Sequence, residues 1–251
     1  MSGTAPASLR VALVTGSTSG IGAAVARALS AHGYAVVLHS RSSVAQGQAL
    51  ARELGAAIYV PADLADEAQR SALVAQAVAQ WGRLDVVVNN AAQSQVIAHH
   101  DLAAATAQVW RDMYEVNVIA PFHIVAQAQA ALQAAAQESG LASVINISSH
   151  AGVRPKGASI PYAASKAALN HVTRLLARTL APHIRVNAIA PGLVDTPLTA
   201  QWHSAQALWR EQAPMRRAAT PQEIAQMVLW LLQSPYLTGE VLLADGGMHL
   251  T

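Results

Sequence analysis

"RVALVTGSTSGIGAAVARALSAHG", residues 10–33, decides the architecture. Its opening "RVALVT" is apolar without alternation, the pattern of a strand covered on both faces, and from Gly22 to His32 the apolar residues recur at helical period. Between the two lies "TGSTSGIG", with glycines at Gly16, Gly20 and Gly22. Glycines at such a junction permit a tight turn and close backbone approach, and the following helix offers its free N–H groups and positive dipole end to a phosphate. Gly16, Ser17, Ser19, Gly20, Ile21 and Gly22 are therefore candidate phosphate-binding residues. The spacing G-x-x-x-G-x-G differs from the G-x-G-x-x-G dinucleotide fingerprint, and no G-K-[ST] follows, so the loop is not of the P-loop type.

The same alternation continues to the end of the chain. Further strands are expected at "AVVLH", "AIYV", "LDVVVN", "SVINIS", "IRVNAI" and "EVLLA". Helical periods are expected at Asp66 to Trp81, Leu102 to Gln137, Tyr162 to Ala181 and Pro221 to Gln233. "TPQEI" signs one helix start, with Thr220 as N-cap, Pro221 at the first helical position and Glu223 three residues after the cap. Strand–helix alternation implies right-handed crossovers, so the fold class is α/β: a doubly wound parallel seven-stranded sheet, Rossmann-like, in a single domain. Residues 1–8 read as a flexible leader and 9–251 as the domain.

Composition narrows the function. With 251 residues, 53% hydrophobic and 12% charged, the chain has the profile of a globular protein. No apolar run reaches the ~18 residues of a membrane span, and the first ten residues are not of signal-peptide type, so a cytoplasmic protein without membrane contact is expected. The absence of cysteine excludes disulfides, thiolate nucleophiles and cysteine zinc sites. The formal charge is +2, but Arg216 and Arg217 are the one adjacent pair of cations, so no nucleic-acid stripe exists.

In an open parallel sheet, ligands lie beyond the carboxyl ends of the strands. The second strand ends "LHSRSS", where Ser40 and Arg41 stand in place of the acid that would accept from a ribose hydroxyl. The guanidinium fork suits a 2′-phosphate, which favours NADP over NAD. After the third strand, Asp63 and Leu64 in "ADL" face the expected adenine; after the fourth comes "NNAA", with Asn89 and Ala91. "HHD", His99 to Asp101, reads as a solvated loop with Asp101 as a helix N-cap, and no metal is expected.

"SIPYAASKAALN", residues 159–170, sets Tyr162 and Lys166 four residues apart, on one helix face. Ser149 in "INISSHAG" precedes Tyr162 by thirteen residues, and Asn117 lies in "YEVNVIAPF". A serine hydrolase is not indicated: Ser149 and His150 point to opposite faces of a strand, and no G-x-S-x-G occurs. From Leu9 to Met248 the chain resembles the short-chain dehydrogenase/reductase family, through "TGSTSGIG", "NNAA", the Ser149/Tyr162/Lys166 spacing, "IRVNAIAPG" and the terminal "DGG".

The resemblance implies a nicotinamide-dependent oxidoreductase acting on a small-molecule carbonyl or alcohol. It makes Tyr162 the general acid/base, its phenol lowered toward neutrality by Lys166 and an oxidised nicotinamide. Ser149 would polarise the carbonyl, Lys166 would also bind the nicotinamide ribose, and Asn117 would hold a relay water. Pro191, Gly192, Val194 and Thr196, in "APGLVDTPL", would meet the carboxamide. It also implies a homo-oligomer, tetramer or dimer. The chain departs from the family at Ala92, where glycine is usual, and in shortened links at "APHIRVN" and "SPYLTGEV". Substrate choice would rest on residues 93–97, 150–156 and 199–214. There Trp202, His203, Leu208 and Trp209 form either an apolar lid or the packing of a helix against the body. The "QESGLAS" run lacks the cations that a carrier-bound acyl group would favour, which points to a free ketone, 3-oxoacyl thioesters included.

Overall fold

The computed structural model of the chain describes residues 9–140 and 142–251; the expected leader, residues 1–8, lies outside them. Seven parallel strands form one sheet: β1 (Arg10–Val14), β2 (Tyr34–Ser40), β3 (Ala57–Pro61), β4 (Val86–Asn89), β5 (Ala142–Ile147), β6 (Ile184–Pro191) and β7 (Val241–Ala244). Their order is β3-β2-β1-β4-β5-β6-β7. The chain leaves β1 toward β2 and β3 and then crosses back to place β4 on the other side of β1. That reversal opens a crevice at the carboxyl ends of β1 and β4, the switch point at which doubly wound sheets bind ligands.

The described residues form eight α-helices: α1 (Gly20–Ala31), α2 (Val44–Leu54), α3 (Glu67–Trp81), α4 (Ala107–Tyr114), α5 (Ala120–Ser139), α6 (Ile160–Leu180), α7 (His203–Gln212) and α8 (Pro221–Gln233). On one face of the sheet Leu73, Ala77, Ile124, Leu132 and Leu180 pack on Val11, Leu13 and Val144. On the other, Ala24, Leu29, Ile224 and Val228 pack on Ala12, Val14 and Ile145. β2 and β6 are buried along their whole length, and the polar residues within β6 are paired, Arg185 donating to Ser143 Oγ at 2.7 Å and Asn187 to the Leu237 carbonyl at 2.9 Å. Burying each leucine or isoleucine of these layers contributes about 1.5–3 kcal/mol.

The expected capping box is present: the Thr220 hydroxyl accepts from Glu223 N–H, and the Glu223 carboxylate accepts from Thr220 N–H. Three expectations differ. α2 was not anticipated, because Gly47 interrupts its sequence pattern; that glycine lies under the Tyr59 ring, where a Cβ would sit 2.1 Å from Cδ2. The segment read as one helix from Leu102 starts at Ala107, with Thr106 as the N-cap. Asp101 instead closes a turn by accepting from Ala104 N–H, 3.1 Å. A π-helical turn, Glu115–Ile119, then separates α4 from α5. Among the described residues no helix is long and apolar enough to cross a membrane, and no cluster of His, Asp and Glu could hold a metal ion.

Candidate active site

The crevice at the switch point is a cleft of about 1380 Å³, larger than the ~300–1,000 Å³ of a single small-ligand pocket. One end is the glycine loop. Gly16 and Gly20 have φ of 63° and 51°, which a side chain would resist. A Cβ on Gly22 would come within 2.2 Å of the Gly16 carbonyl oxygen. Ser19, the N-cap of α1, makes no side-chain cap hydrogen bond, so the first-turn N–H groups are left for a ligand. Gly16, Ser19, Gly20 and Ile21 line the cleft.

Ser17, Gly22 and Asn89, also singled out from the sequence, are not among the lining residues. Ser17 is clasped to β2, its N–H donating to the His39 carbonyl at 2.9 Å. The Asn89 amide donates to Asn146 Oδ1 at 2.9 Å, inside the sheet. The neighbouring Asn90 does meet the loop, donating to the carbonyls of Thr15 and Gly16 at 2.9 and 3.0 Å.

Arg41, Asp63, Leu64 and Ala91, expected to meet a dinucleotide, line the cleft, with Ser40. Ser40 Oγ is engaged by Tyr59 Oη at 2.9 Å and by Ser43 N–H at 3.1 Å. Arg41 is exposed and has no ion pair among the described residues. The uncapped helix, the glycine cradle, the volume and this unpaired guanidinium together fit a dinucleotide.

At the opposite end, Ser159 caps α6 through Tyr162 N–H, so Tyr162 falls in the first turn and Lys166 one turn later on the same face. Ser149, just beyond β5, is a neighbour of the Tyr162 phenol, and its Oγ accepts from Ala151 N–H at 3.1 Å. Ser148 turns instead to the Lys166 carbonyl, 3.3 Å. Lys166 is buried, its Nζ donating to the Ile147 carbonyl at 2.9 Å and lying 5.9 Å from the Tyr162 ring centre. Burial pushes Lys166 down to about 8 and pushes the Tyr162 phenol up, with the neighbouring Ser149 hydroxyl opposing. Among the protein groups alone, desolvation disfavours the phenolate and the ammonium is turned toward Ile147, so the lowering expected of Lys166 would need the oxidised nicotinamide as well.

Asn117 is fully buried in the π-helical turn and does not line the cleft. Its Oδ1 accepts from Gln93 N–H at 2.8 Å, and its Nδ2 donates to the Gln93 carbonyl at 2.9 Å and to Ser165 Oγ at 3.0 Å. Ser165 in turn donates to the Tyr162 carbonyl at 2.8 Å. Ser165 was not anticipated, although helical spacing from Tyr162 was an available signal; Gln93, expected on the substrate side, is also the partner of Asn117.

Pro191, Gly192, Val194 and Thr196 complete the floor. A Cβ on Gly192 would lie 2.9 Å from Asp245 Cα and 3.1 Å from Trp209 Cζ2. Trp202, Leu208 and Trp209 line the cleft, whereas His203 does not, and α7 has no buried residue. Trp209 meets the buried His150 edge-on, ring centres 6.0 Å apart. The segment is thus an apolar wall tethered at Trp209, with Val96, Ile97 and Leu198 continuing it. Lys156 also lines the cleft, so a cation is present although "QESGLAS" has none. His99 lines it too, its Nε2 3.1 Å from the Gly157 carbonyl oxygen.

Residues 16–249 match a family model described as enoyl-(acyl carrier protein) reductase. The chain is 48% identical over 243 residues to a protein described as ketoacyl reductase 2 of the granaticin polyketide synthase of Streptomyces violaceoruber, covering 96% of each. Among solved structures, a 3-ketoacyl-(acyl-carrier-protein) reductase from Brucella melitensis with NADH superposes with a TM-score of 0.87 at 30% identity, covering 95% of this chain and 98% of that one. The Pseudomonas aeruginosa RhlG/NADP complex does so with a TM-score of 0.88 at 34% identity, covering 96% of each.

Proposed function

The chain belongs to the short-chain dehydrogenase/reductase family of NAD(P)-dependent oxidoreductases, and on that premise we propose that it reduces 3-oxoacyl-type ketones with NADPH. The observation that carries the reading is the convergence of Ser149, Tyr162 and Lys166 at one end of a cleft whose other end is an uncapped, glycine-lined helix start.

The bound dinucleotide supplies the hydride. The Ser149 hydroxyl holds the ketone oxygen, and the Tyr162 phenol donates its proton to that oxygen as negative charge develops. A phenol held above its ordinary value is fully protonated at neutral pH, the state a proton donor needs. Lys166, still largely protonated at neutral pH with a value near 8, steadies the cofactor ribose and the charge left on Tyr162. Asn117 acts through Ser165, fixing the first turn of α6; any relay water would fall to its backbone carbonyl, since the amide is fully engaged.

The apolar wall of Val96, Ile97, Leu198, Leu208, Trp202 and Trp209 suits an acyl chain or ring, and Lys156 suits an anionic carrier group. The ketoacyl relatives support the same substrate class. Oxidation of NADPH by a panel of 3-oxoacyl thioesters and free ketones tests it; turnover confined to small free ketones would overturn it. A cytoplasmic homo-oligomer, tetramer or dimer, belongs to the same proposal; Trp230, Tyr236 and Leu250, exposed on and around α8 and the C-terminal end, fit a subunit contact.

NADP is favoured over NAD because Arg41 is unpaired and solvent-facing at the adenine end, while Ser40 is already engaged. Arg41→Ala is expected to raise the NADPH KM roughly tenfold, the worth of one charged hydrogen bond partly screened by water, with NADH little changed. An equal loss for both dinucleotides would remove the 2′-phosphate assignment.

A further inference from the structure

His39, the penultimate residue of β2, is buried and lines the cleft at the glycine loop. Its Nδ1 lies 3.1 Å from Gly16 N, and its Nε2 lies 2.9 Å from the Ala62 carbonyl oxygen. A backbone N–H can only donate and a carbonyl can only accept, so one tautomer satisfies both: Nδ1 bare, Nε2 protonated. The main chain repeats the grip, since His39 N–H donates to Ser17 Oγ at 2.9 Å and Ser17 N–H donates to the His39 carbonyl at 2.9 Å.

One imidazole therefore ties together the ends of three strands: the loop after β1, the end of β2 and the turn after β3 that carries Asp63 and Leu64. The Gly16 peptide unit is held on its N–H side by His39 and on its carbonyl by Asn90. We propose that His39 is a positioning residue for the dinucleotide: its neutral Nε2–H tautomer clamps Gly16 to Ala62 and so sets the orientation in which α1 meets the phosphates. The inference rests on the dinucleotide reading above and goes beyond it.

The clamp can be opened by one proton. The only vacant site is Nδ1, and a hydrogen there would face the hydrogen of Gly16 N–H. Burial lowers the proton affinity of His39, opposed by the Ala62 hydrogen bond and by the charge of Asp63. Thr15–Ser19 and Asn89–Ala92 bring no titratable side chain to it, and Arg41 on β2's own continuation is exposed. The clamped state is thus complete above the ordinary histidine value near 6.5 and is lost as pH falls from there through the lowered value that burial gives the clamped ring.

Calorimetric titration of the full chain with NADP⁺ and NAD⁺, from about pH 8 to about pH 5.5, tests this with His39→Asn and His39→Leu. Asparagine places a non-titrating acceptor near Nδ1; leucine fills the volume and leaves Gly16 N–H without a partner. At about pH 8 the leucine variant is expected to bind on the order of tenfold more weakly, and the asparagine variant within about threefold of wild type. Toward pH 5.5 the wild type is expected to lose roughly tenfold against the asparagine variant with both dinucleotides. NAD⁺ is included because the 2′-phosphate of NADP⁺ itself titrates near pH 6. A leucine variant that binds like wild type, or a constant ratio between wild type and the asparagine variant across pH, would overturn the clamp. The second readout stands even if the leucine variant does not fold. Failure of wild type to bind either dinucleotide would overturn the dinucleotide reading and the clamp with it.

Discussion

Tyr162→Phe is expected to slow ketone reduction by about 10²–10⁴-fold, the range set by removing a positioned proton donor. Dinucleotide affinity should stay close to wild type, because the phenyl ring keeps its place in the first turn of α6 and the glycine loop lies at the other end of the cleft. Single-turnover mixing of enzyme–NADPH with a 3-oxoacyl thioester measures the first quantity, and calorimetry the second. The split matters, since a fall in both would mean that Tyr162 acts by holding the cofactor. The environment makes the prediction sharp: burial raises the phenol and lowers Lys166, so at neutral pH this site holds a protonated donor beside a cation that touches no carboxylate. No second hydroxyl is placed to substitute, because Ser148 is turned to the Lys166 carbonyl and Ser149 is needed by the substrate oxygen.

Gly22→Ala is the second large effect, and its cause is steric rather than conformational. No strained φ is recorded at Gly22, but an added Cβ would stand 2.2 Å from the Gly16 carbonyl oxygen and 2.5 Å from Asn90 Nδ2. Neither neighbour can yield freely, since Asn90 holds the same carbonyl at 3.0 Å and His39 holds the Gly16 N–H. The loop must lift off α1, which is expected to cost about 1–3 kcal/mol of stability and to weaken NADPH binding by roughly a hundredfold. Gly33→Ala is the control. There φ is 79° but no atom lies within 4 Å of the added Cβ, so a stability loss of about 1 kcal/mol with normal binding is expected. Denaturant midpoints and NADPH titrations of the two variants separate the causes; weak binding in both would point to stability alone.

The strands were legible as short, largely apolar runs: β2, β4, β5 and β6 are buried along their whole length, whereas the edge strands β3 and β7 are mostly half-buried and keep the pattern through Ile58, Val60, Leu242 and Leu243. α2 was not, since Gly47 lowers helix propensity at the one position where Tyr59 needs room, a reason that exists only in three dimensions. Nor was the π-helical turn at Glu115–Ile119, because one extra residue in a turn leaves apolar spacing almost unchanged while rotating Asn117 inward to Gln93 and Ser165. Within the site, the Tyr162/Lys166 spacing alone says little, and it was the resemblance to the family, thirteen residues from Ser149 to Tyr162 included, that singled the three out. The direction in which the protein alone shifts the phenol was not legible, because desolvation depends on what covers a residue, which spacing does not record. His39 was likewise silent: a lone histidine at a strand end reads as core until both its ring nitrogens are seen to be occupied.

The most direct test is the fate of the label when NADPH carrying deuterium at one or the other C4 position is mixed with a 3-oxoacyl thioester. Deuterium from one of the two faces should arrive on the carbinol carbon, with a primary isotope effect on the single-turnover rate. NADPH that binds tightly in the cleft while no label reaches any ketone of the panel would contradict the assignment of this chain as a 3-oxoacyl reductase.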